Sequence, residues 1–143
     1  MPVEVQAISK NGSTKKLRLV LYAAAIPAGF PSPAEDYIDK RLDLNEHLIK
    51  HPAATFFVRV AGHSMINAGI HDGDTLIVDR ALEPAGKKIV IAVLNGEMTV
   101  KRLRKLRGRL YLMPENESFP PIEVTEGSDF QIWGVVSSVI HPV

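Results

Sequence analysis

The stretch VLNGEMTVKRL (residues 93–103) contains the strongest local structural signal in the chain. Asn95-Gly96 lies between two apolar runs, and this pair favours a two-residue hairpin turn because both of its positions must accept positive φ. A two-residue turn also fixes the register of the two strands, because it determines which residues face each other. The predicted cross-strand pairs are Leu94–Glu97, Ala92–Thr99 and Val90–Lys101.

Five further segments after Pro52 have the composition of β-strands. They are rich in β-branched and aromatic residues, and turn signals such as DGD, PAG, RG and PENES separate them. Seven short strands at this spacing predict a mainly β fold, a compact antiparallel barrel-like β domain. The seven predicted strands are residues 55–60, 75–79, 88–94, 97–103, 109–113, 122–124 and 130–140.

The segment SPAEDYIDKR (residues 32–41) begins with residues that are typical of helix starts. Ser32 is a good N-cap, Pro33 suits the first helical position, and Glu35 completes a capping box. We therefore predict a short N-terminal helix that continues through about Arg41.

A second short helix is predicted in DLNEHLIKH (residues 43–51), with its first residue as an acidic N-cap and Glu46 closing the capping box. Pro52 should stop this helix, because the residue before a proline avoids the α-helical region. His47 and His51 are four positions apart, as in a helical metal pair. No third ligand of suitable spacing is evident, so we predict no metal site.

Residues 1–28 show weak periodicity and are interpreted as an extended N-terminal arm with one short strand at residues 16–22. Within the arm, KKLRLVLYAAAIPAG (residues 15–29) places basic residues before an apolar run, an order that resembles a signal peptide. The apolar run is shorter than the ~7–15 residues expected of one. No run approaches the ~20 residues of a membrane-spanning helix. We therefore expect neither secretion nor a membrane span.

The composition narrows the classes of function. The 143 residues are 45% hydrophobic and 23% charged, as in an ordinary globular domain. A formal net charge of +1 does not indicate a protein that binds nucleic acid through its overall charge. The chain has no cysteine, which excludes disulfides, thiol catalysis and Cys-based zinc sites and fits a reducing compartment.

Lys101 is a candidate for a lysine held in apolar surroundings. On the predicted hairpin it shares a face with Thr99 and Leu103, and the partner strand IVIAVL presents no polar side chain to that face. A lysine with the ordinary pKa of about 10.4 is protonated and cannot act as a base, but desolvation lowers the pKa. A serine hydroxyl near such a neutral amine becomes a competent nucleophile. Ser64, in AGHSMINAGIHDGD (residues 61–74), is the candidate serine.

Both residues also have an ordinary interpretation. Most serines in glycine-containing loops are structural, and strand lysines usually extend to water. Lys101 heads the basic run KRLRKLRGR (residues 101–109), which by composition is a solvated hairpin face, with phosphate binding as a weaker alternative. Position on the hairpin, not charge, distinguishes Lys101 from its neighbours.

Histidines offer alternative bases. His63 directly precedes the serine, but side chains that are adjacent along an extended chain diverge, which favours the lysine. His71 with Asp72 or Asp74 could complete a Ser-His-Asp set, although no spacing supports one triad over another. We interpret the HDGD turn as closing the loop that presents Ser64.

These motifs together resemble a known family. GHSM and TVKRL, with GDTLIVD and KKIVIAVLNGE between them, resemble the self-cleaving Ser-Lys peptidases of the LexA family, and more closely the UmuD-type proteins of SOS mutagenesis. The resemblance covers about residue 28 to the end. It implies that Ser64 is the nucleophile, that Lys101 is the general base, and that the protein cleaves its own Ala28-Gly29 bond.

The resemblance also implies an organisation and partners. Residues 1–28 would be an arm removed by self-cleavage, and residues 29–143 the peptidase-like β domain. The protein would be a cytoplasmic homodimer, stimulated by RecA-like filaments on single-stranded DNA, whose processed form serves a Y-family error-prone polymerase subunit of the UmuC type. No cofactor, metal, membrane or sequence-specific DNA binding is implied.

Two other functions are less consistent with the sequence. A transcriptional repressor of the same superfamily is disfavoured, because residues 1–28 are too few for an independent helix-turn-helix domain. An inert dimerisation module is disfavoured by the presence of Ser64, Lys101 and the Ala28-Gly29 junction.

Overall fold

The computed structural model describes residues 4–10, 18–22, 29 and 38–143. The chain divides into two compact units, Met1–Gly12 with His51–Val143, and Ser13–Lys50. The strands are β1 (Glu4–Lys10), β2 (Arg18–Tyr22), β3 (Ile38–Asp43), β4 (Thr55–Ala61), β5 (Thr75–Asp79), β6 (Ile89–Leu94), β7 (Glu97–Leu106), β8 (Arg109–Met113), β9 (Ile122–Val124) and β10 (Phe130–Ile140), and the α-helix is α1 (Leu44–Leu48).

The larger unit contains an eight-stranded antiparallel sheet. Its strand order is β1-β4-β5-β10-β6-β7-β8-β9. β1 also meets β7 through a single residue pair, Glu4 with Thr99, so the sheet curls without closing into a continuous ladder. The predicted mainly β, antiparallel fold is confirmed.

All seven strands predicted after Pro52 are present, and four of them have the predicted bounds. The predicted hairpin register is also confirmed, including the pair of Val90 with Lys101. β7 continues to Leu106, three residues beyond its predicted end, because it pairs with β8 up to a second two-residue turn at Arg107-Gly108.

The buried apolar side chains of the larger unit form two clusters. One includes Met65, the residue after the candidate serine. The other includes Val90, Ala92 and Leu103, which lie on the hairpin face predicted to carry Lys101. The neighbours of the candidate serine and lysine therefore belong to the buried core of the larger unit.

β1 lies within the predicted arm, where the sequence analysis expected only a strand at residues 16–22. It pairs antiparallel with β4, from Glu4 with Ala61 to Lys10 with Phe56. The EVQAISK sequence is a weak strand signal by itself, and the pairing partner lies about fifty residues away. Long-range pairing decides the conformation here, not the local pattern.

The helix predicted through about Arg41 is wrong at its C-terminal end. Ile38–Asp43 is β3, which pairs antiparallel with β2 in a two-stranded sheet of the smaller unit. Cross-strand pairing overrides the local capping signal there. The strand predicted at residues 16–22 is confirmed over Arg18–Tyr22. The three predicted cap residues, Ser32, Pro33 and Glu35, lie outside the described residues.

The second predicted helix is confirmed as α1, and the Asp43 carboxylate accepts a hydrogen bond from the Asn45 amide at 3.0 Å. The helix ends at Leu48, so His51 does not share it with His47. His51 Nδ1 instead lies 2.6 Å from the Asp79 carboxylate. Across the described ranges, no group of three or more potential metal ligands occurs.

In the described part of the chain, no helix has the length and apolar character needed to cross a bilayer.

Candidate active site

Ser64 and Lys101 meet in the interior of the larger unit. Lys101 Nζ lies 3.1 Å from Ser64 Oγ. Both residues are buried, with exposed fractions of 0% for Ser64 and 2% for Lys101. Ser64 lies in the loop that follows β4, whereas Lys101 is in the middle of β7, opposite Val90. The structure thus brings together the two residues that the sequence analysis selected.

Two further oxygen atoms surround the Lys101 amine. Thr99 Oγ1 lies 2.9 Å from Nζ and the Val100 carbonyl oxygen lies 3.1 Å from it. In the protonated form Nζ donates to all three oxygens, including Ser64 Oγ. Loss of one proton leaves two hydrogens and a lone pair, so the same three contacts are kept when the Ser64 hydroxyl donates to that lone pair. Burial disfavours the charged form of a lysine and so lowers its pKa. The arrangement suits an amine that accepts a proton from serine.

Thr99 is a site residue whose contact the sequence analysis missed. The prediction placed Thr99 on the same face as Lys101 but considered only the partner strand as the environment of the amine. Residues two apart on a strand share a face, which is the signal that could have identified this contact.

The loop that carries Ser64 is tied to the HDGD turn. The Gly62 amide donates to the Asp72 carboxylate at 2.8 Å, and the Gly73 amide donates to the Val60 carbonyl at 2.9 Å. These contacts join the end of β4 to the turn and so fix the start of the serine loop. The interpretation of HDGD as the turn that closes this loop agrees with them.

The acids of that turn are engaged in structural contacts. Asp74 is buried, accepts from the His71 amide at 2.7 Å, and lies 2.5 Å from His141 Nδ1. Asp74 thus contacts the main chain of His71 and the ring of His141. Ser64 Oγ contacts the Lys101 amine.

A second loop, PENES (residues 114–118), holds the serine loop from another direction. The Glu115 amide donates to the Ser64 carbonyl at 2.7 Å, and the Asn67 amide donates to the Glu115 carbonyl at 2.8 Å. Asn116 Nδ2 donates to the His63 carbonyl at 2.8 Å. This segment was predicted only as a turn, and these contacts show that it also holds the main chain of the loop that carries Ser64.

Arg102 links that loop to the strand of the lysine. It follows Lys101 on β7, and its guanidinium forms an ion pair with the Glu115 carboxylate. Arg102 Nη1 also donates to the Lys87 carbonyl at 2.6 Å. The Arg102–Glu115 pair therefore connects the strand of Lys101 to the PENES loop, whose Glu115 amide in turn holds the Ser64 carbonyl. We call Arg102, Glu115 and Asn116 the loop clamp.

His63, the rival base, has an exposed side chain. Its contribution to the described contacts comes from its carbonyl oxygen, which accepts from Asn116. Asn116 of the loop clamp thus holds the main chain of His63, whereas the Lys101 amine contacts the Ser64 hydroxyl.

Comparison with known proteins identifies the family. The profile of the Peptidase S24-like family matches residues 20–137. The chain belongs to the S24 peptidase family. Protein MucA of Salmonella typhimurium is 43% identical over 99% of this chain and 98% of its own length. Protein SamA of Salmonella typhimurium is 50% identical over 85% of this chain and 84% of its own length.

The LexA repressor of Paracidovorax citrulli is 38% identical over 81% of this S24 chain, which corresponds to 51% of the repressor. The resemblance to the LexA family and to its UmuD-type members, drawn from the GHSM and TVKRL motifs, is thus confirmed. Both motifs lie inside the matched range, and the residues they contribute are the ones in contact at the site.

Of the two residues at the expected cleavage junction of this S24 peptidase, Gly29 is described and Ala28 lies outside the described residues. Gly29 is exposed, and a Cβ atom built on it would meet nothing within 4 Å. A side chain at position 29 would therefore find open space in this conformation.

Proposed function

We propose that this S24 family member is a serine endopeptidase that cleaves its own chain between Ala28 and Gly29. Ser64 acts as the nucleophile and Lys101 as the general base. The observation that carries the proposal is the buried 3.1 Å contact between Lys101 Nζ and Ser64 Oγ. A lysine that is almost completely buried is rare unless it is paired or functional.

In the proposed reaction, the neutral Lys101 amine takes the proton from Ser64 Oγ, which attacks the carbonyl carbon of Ala28. The bond from that carbon to the Gly29 nitrogen breaks, and the lysine ammonium returns its proton to the departing amine. Water then hydrolyses the acyl-serine, with Lys101 again as base. We expect the Ser64 amide to help stabilise the oxyanion.

The site suits a tethered substrate better than a free one. Both reacting side chains are buried, so a diffusing peptide has little surface on which to bind them. A segment of the same chain, or of a second copy, arrives at a high effective concentration that offsets this disadvantage. Self-processing is therefore favoured over general proteolysis.

The direct test is incubation of purified protein over a range of alkaline pH, with mass spectrometry to detect loss of residues 1–28. Because the deprotonated amine is the active form, the cleavage rate should rise about tenfold per pH unit below the pKa of the base and then level off. Ser64→Ala, incubated in parallel, should remain intact at every pH. Uncleaved wild-type protein across the range, or equal cleavage of Ser64→Ala, would contradict the proposal.

The physiological setting follows from the resemblance to UmuD-type proteins. We propose that RecA-like filaments on single-stranded DNA stimulate the cleavage in the cytoplasm, and that the processed homodimer serves an error-prone translesion polymerase. The near-complete match to MucA supports this over a repressor function, because the match to the LexA repressor covers only half of that protein. Cleavage that does not accelerate when filaments are added at neutral pH would contradict this step.

Loss of the loop clamp should slow cleavage without abolishing it. Arg102→Gln removes the ion pair with Glu115 that joins the base strand to the nucleophile loop, and displacements of about 1 Å cost up to ~10²-fold in rate. We expect a cleavage rate about tenfold lower at fixed alkaline pH. The midpoint of thermal unfolding should change little, because both partners are about one-third exposed.

The matched control for that experiment is Arg109→Gln. It removes another arginine–carboxylate pair, with Glu123, which makes no described contact to the serine loop. Partial recovery of the rate in Arg102→Lys would support a positioning role. Equal rates for Arg102→Gln and Arg109→Gln would show that the clamp does not position the nucleophile.

A further inference from the structure

The tip of the β7–β8 hairpin concentrates positive charge on the surface of a nearly neutral protein. Residues 104–109 are all exposed, and four of the six are basic, Arg104, Lys105, Arg107 and Arg109. The formal net charge of the whole chain is only +1. The positive field at this tip is therefore local, as in a surface that attracts an anionic partner.

The hairpin separates a core face from an outer face. Leu103 and Leu112 pair with each other and are buried. The adjacent pairs, Arg104 with Tyr111 and Leu106 with Arg109, point to the opposite face because side chains alternate along a strand. An aromatic ring thus lies between arginines on the outer face.

A cavity of about 560 Å³ opens at this face, lined by Leu106, Arg107, Arg109 and Tyr111. Its volume is in the range of small-ligand sites, and its lining combines an aromatic ring, an aliphatic side chain and two guanidinium groups. This chemistry matches a nucleotide unit, with a base for the ring and a phosphate for the arginines.

The turn at the tip provides an independent observation. Among the described residues, two hairpin turns have positive φ at both central positions, Asn95-Gly96 (φ 50° and 84°) and Arg107-Gly108 (φ 52° and 77°). Asn is favoured at the first position of such a turn, and other non-glycine residues are strained there. Arg107 is exposed, so packing does not explain it. Strain retained at an exposed residue points to a function.

We propose that the outer face of this hairpin, residues 104–111, binds single-stranded nucleic acid without sequence preference. Arg104, Arg107 and Arg109 contact phosphates, and Tyr111 stacks on a base. This goes beyond the proposed peptidase function and is consistent with the expected absence of sequence-specific DNA binding, because phosphates and base faces carry little sequence information.

One carboxylate faces the proposed site. Glu123 pairs with Tyr111 across β8 and β9, and lies 3.6 Å from Arg109 Nη1. The two side chains of that ion pair are 67% and 38% exposed, so the pair is weak and a phosphate can displace it. Removal of this negative charge should therefore strengthen binding.

The decisive variant is Arg107→Asn, which should move binding and stability in opposite directions. With the full chain in a Ser64→Ala background, anisotropy of a labelled oligothymidylate should show affinity reduced about fivefold at 0.1 M salt. The slope of log affinity against log salt should fall by about 0.7, the value for one lost phosphate contact on a single strand. The midpoint of thermal unfolding should rise, because Asn tolerates the left-handed conformation better. A residue with a purely structural role would not weaken binding while it stabilised the fold.

Matched variants separate the components of the site. Tyr111→Leu should weaken oligothymidylate binding without changing the salt slope. Tyr111→Phe keeps the aromatic ring and should bind with the wild-type affinity. Glu123→Gln should bind more tightly than wild type. Arg59→Gln, which removes one exposed arginine on β4, is the control for a change in overall charge and should bind almost as wild type.

Three results would overturn the proposal. The first is an unchanged affinity of Arg107→Asn for oligothymidylate, and the second is an equal affinity of the parent protein for a DNA duplex of the same length. The third is full displacement of the oligothymidylate by polyglutamate, combined with wild-type affinity in Tyr111→Leu. The last result would identify the hairpin as a site for an acidic protein surface instead. None of these measurements depends on cleavage, so failure here leaves the proposed peptidase function to its own test.

Discussion

Replacing Lys101 with methionine will abolish self-cleavage while the fold persists. Methionine is similar in length and fills the same buried space, but it has no lone pair that can accept the Ser64 proton. General-base catalysis contributes about 10²–10⁴-fold, and Ser64 Oγ has its described contact with this amine. We therefore expect the alkaline cleavage rate to fall by at least that factor, measured as the fraction of protein that loses residues 1–28.

The stability of Lys101→Met should be equal to or higher than that of wild type. Methionine removes the desolvation cost of a buried amine, on the order of 1–3 kcal/mol. Thr99 Oγ1 and the Val100 carbonyl lose a donor, and an unsatisfied buried acceptor costs about 1–3 kcal/mol. These effects offset each other, so thermal unfolding should show a midpoint that is not lowered.

Lys105→Met is the matched control, because it makes the same change at an exposed lysine on the same strand. Its cleavage rate should remain at the wild-type value. His63→Gln tests the rival base and should also leave the rate within about twofold, well below the general-base factor. If Lys101→Met cleaves normally, or if His63→Gln alone loses activity, the lysine is not the base.

The placement of Lys101 could be predicted because hairpin geometry is local. Asn95-Gly96 fixes a two-residue turn, the turn fixes the register, and the period of two fixes the face of each side chain. The pair of Val90 with Lys101 follows from these steps without any knowledge of the remaining sheet. Ser64 had no comparable local signal, and its selection depended on the resemblance to the LexA family.

The features that sequence reasoning missed depend on long-range contacts. Ile38–Asp43 has good helical start signals before it and still forms β3, because a partner strand is available at Arg18–Tyr22. The PENES loop reads as a polar turn, and only the folded chain shows that Glu115 binds both the Ser64 carbonyl and Arg102. Contacts between residues so far apart in sequence leave no periodic pattern to detect.

Replacing Gly29 with leucine should block self-cleavage while leaving stability unchanged. In the proposed reaction the Gly29 nitrogen is the leaving group, so a new Cβ and its branches must enter the site beside the broken bond. The reacting side chains are 0% and 2% exposed, which leaves little room around that bond, and a displacement of about 1 Å reduces the rate by up to ~10²-fold. We expect at least this loss in the alkaline assay.

Gly127→Leu is the matched control for Gly29→Leu. It shows whether the loss of cleavage is specific to the junction or follows from adding a leucine at any exposed glycine. Like Gly29, Gly127 is exposed and has nothing within 4 Å of a built Cβ, so both variants should unfold within about 0.5 kcal/mol of wild type. Gly127→Leu should cleave at the wild-type rate. Cleavage of Gly29→Leu at that same rate and at the same bond would mean that the site does not require a small residue after the junction. Cleavage of Gly29→Leu at a different bond, and at the wild-type rate, would mean that the reaction does not require the Ala28-Gly29 junction.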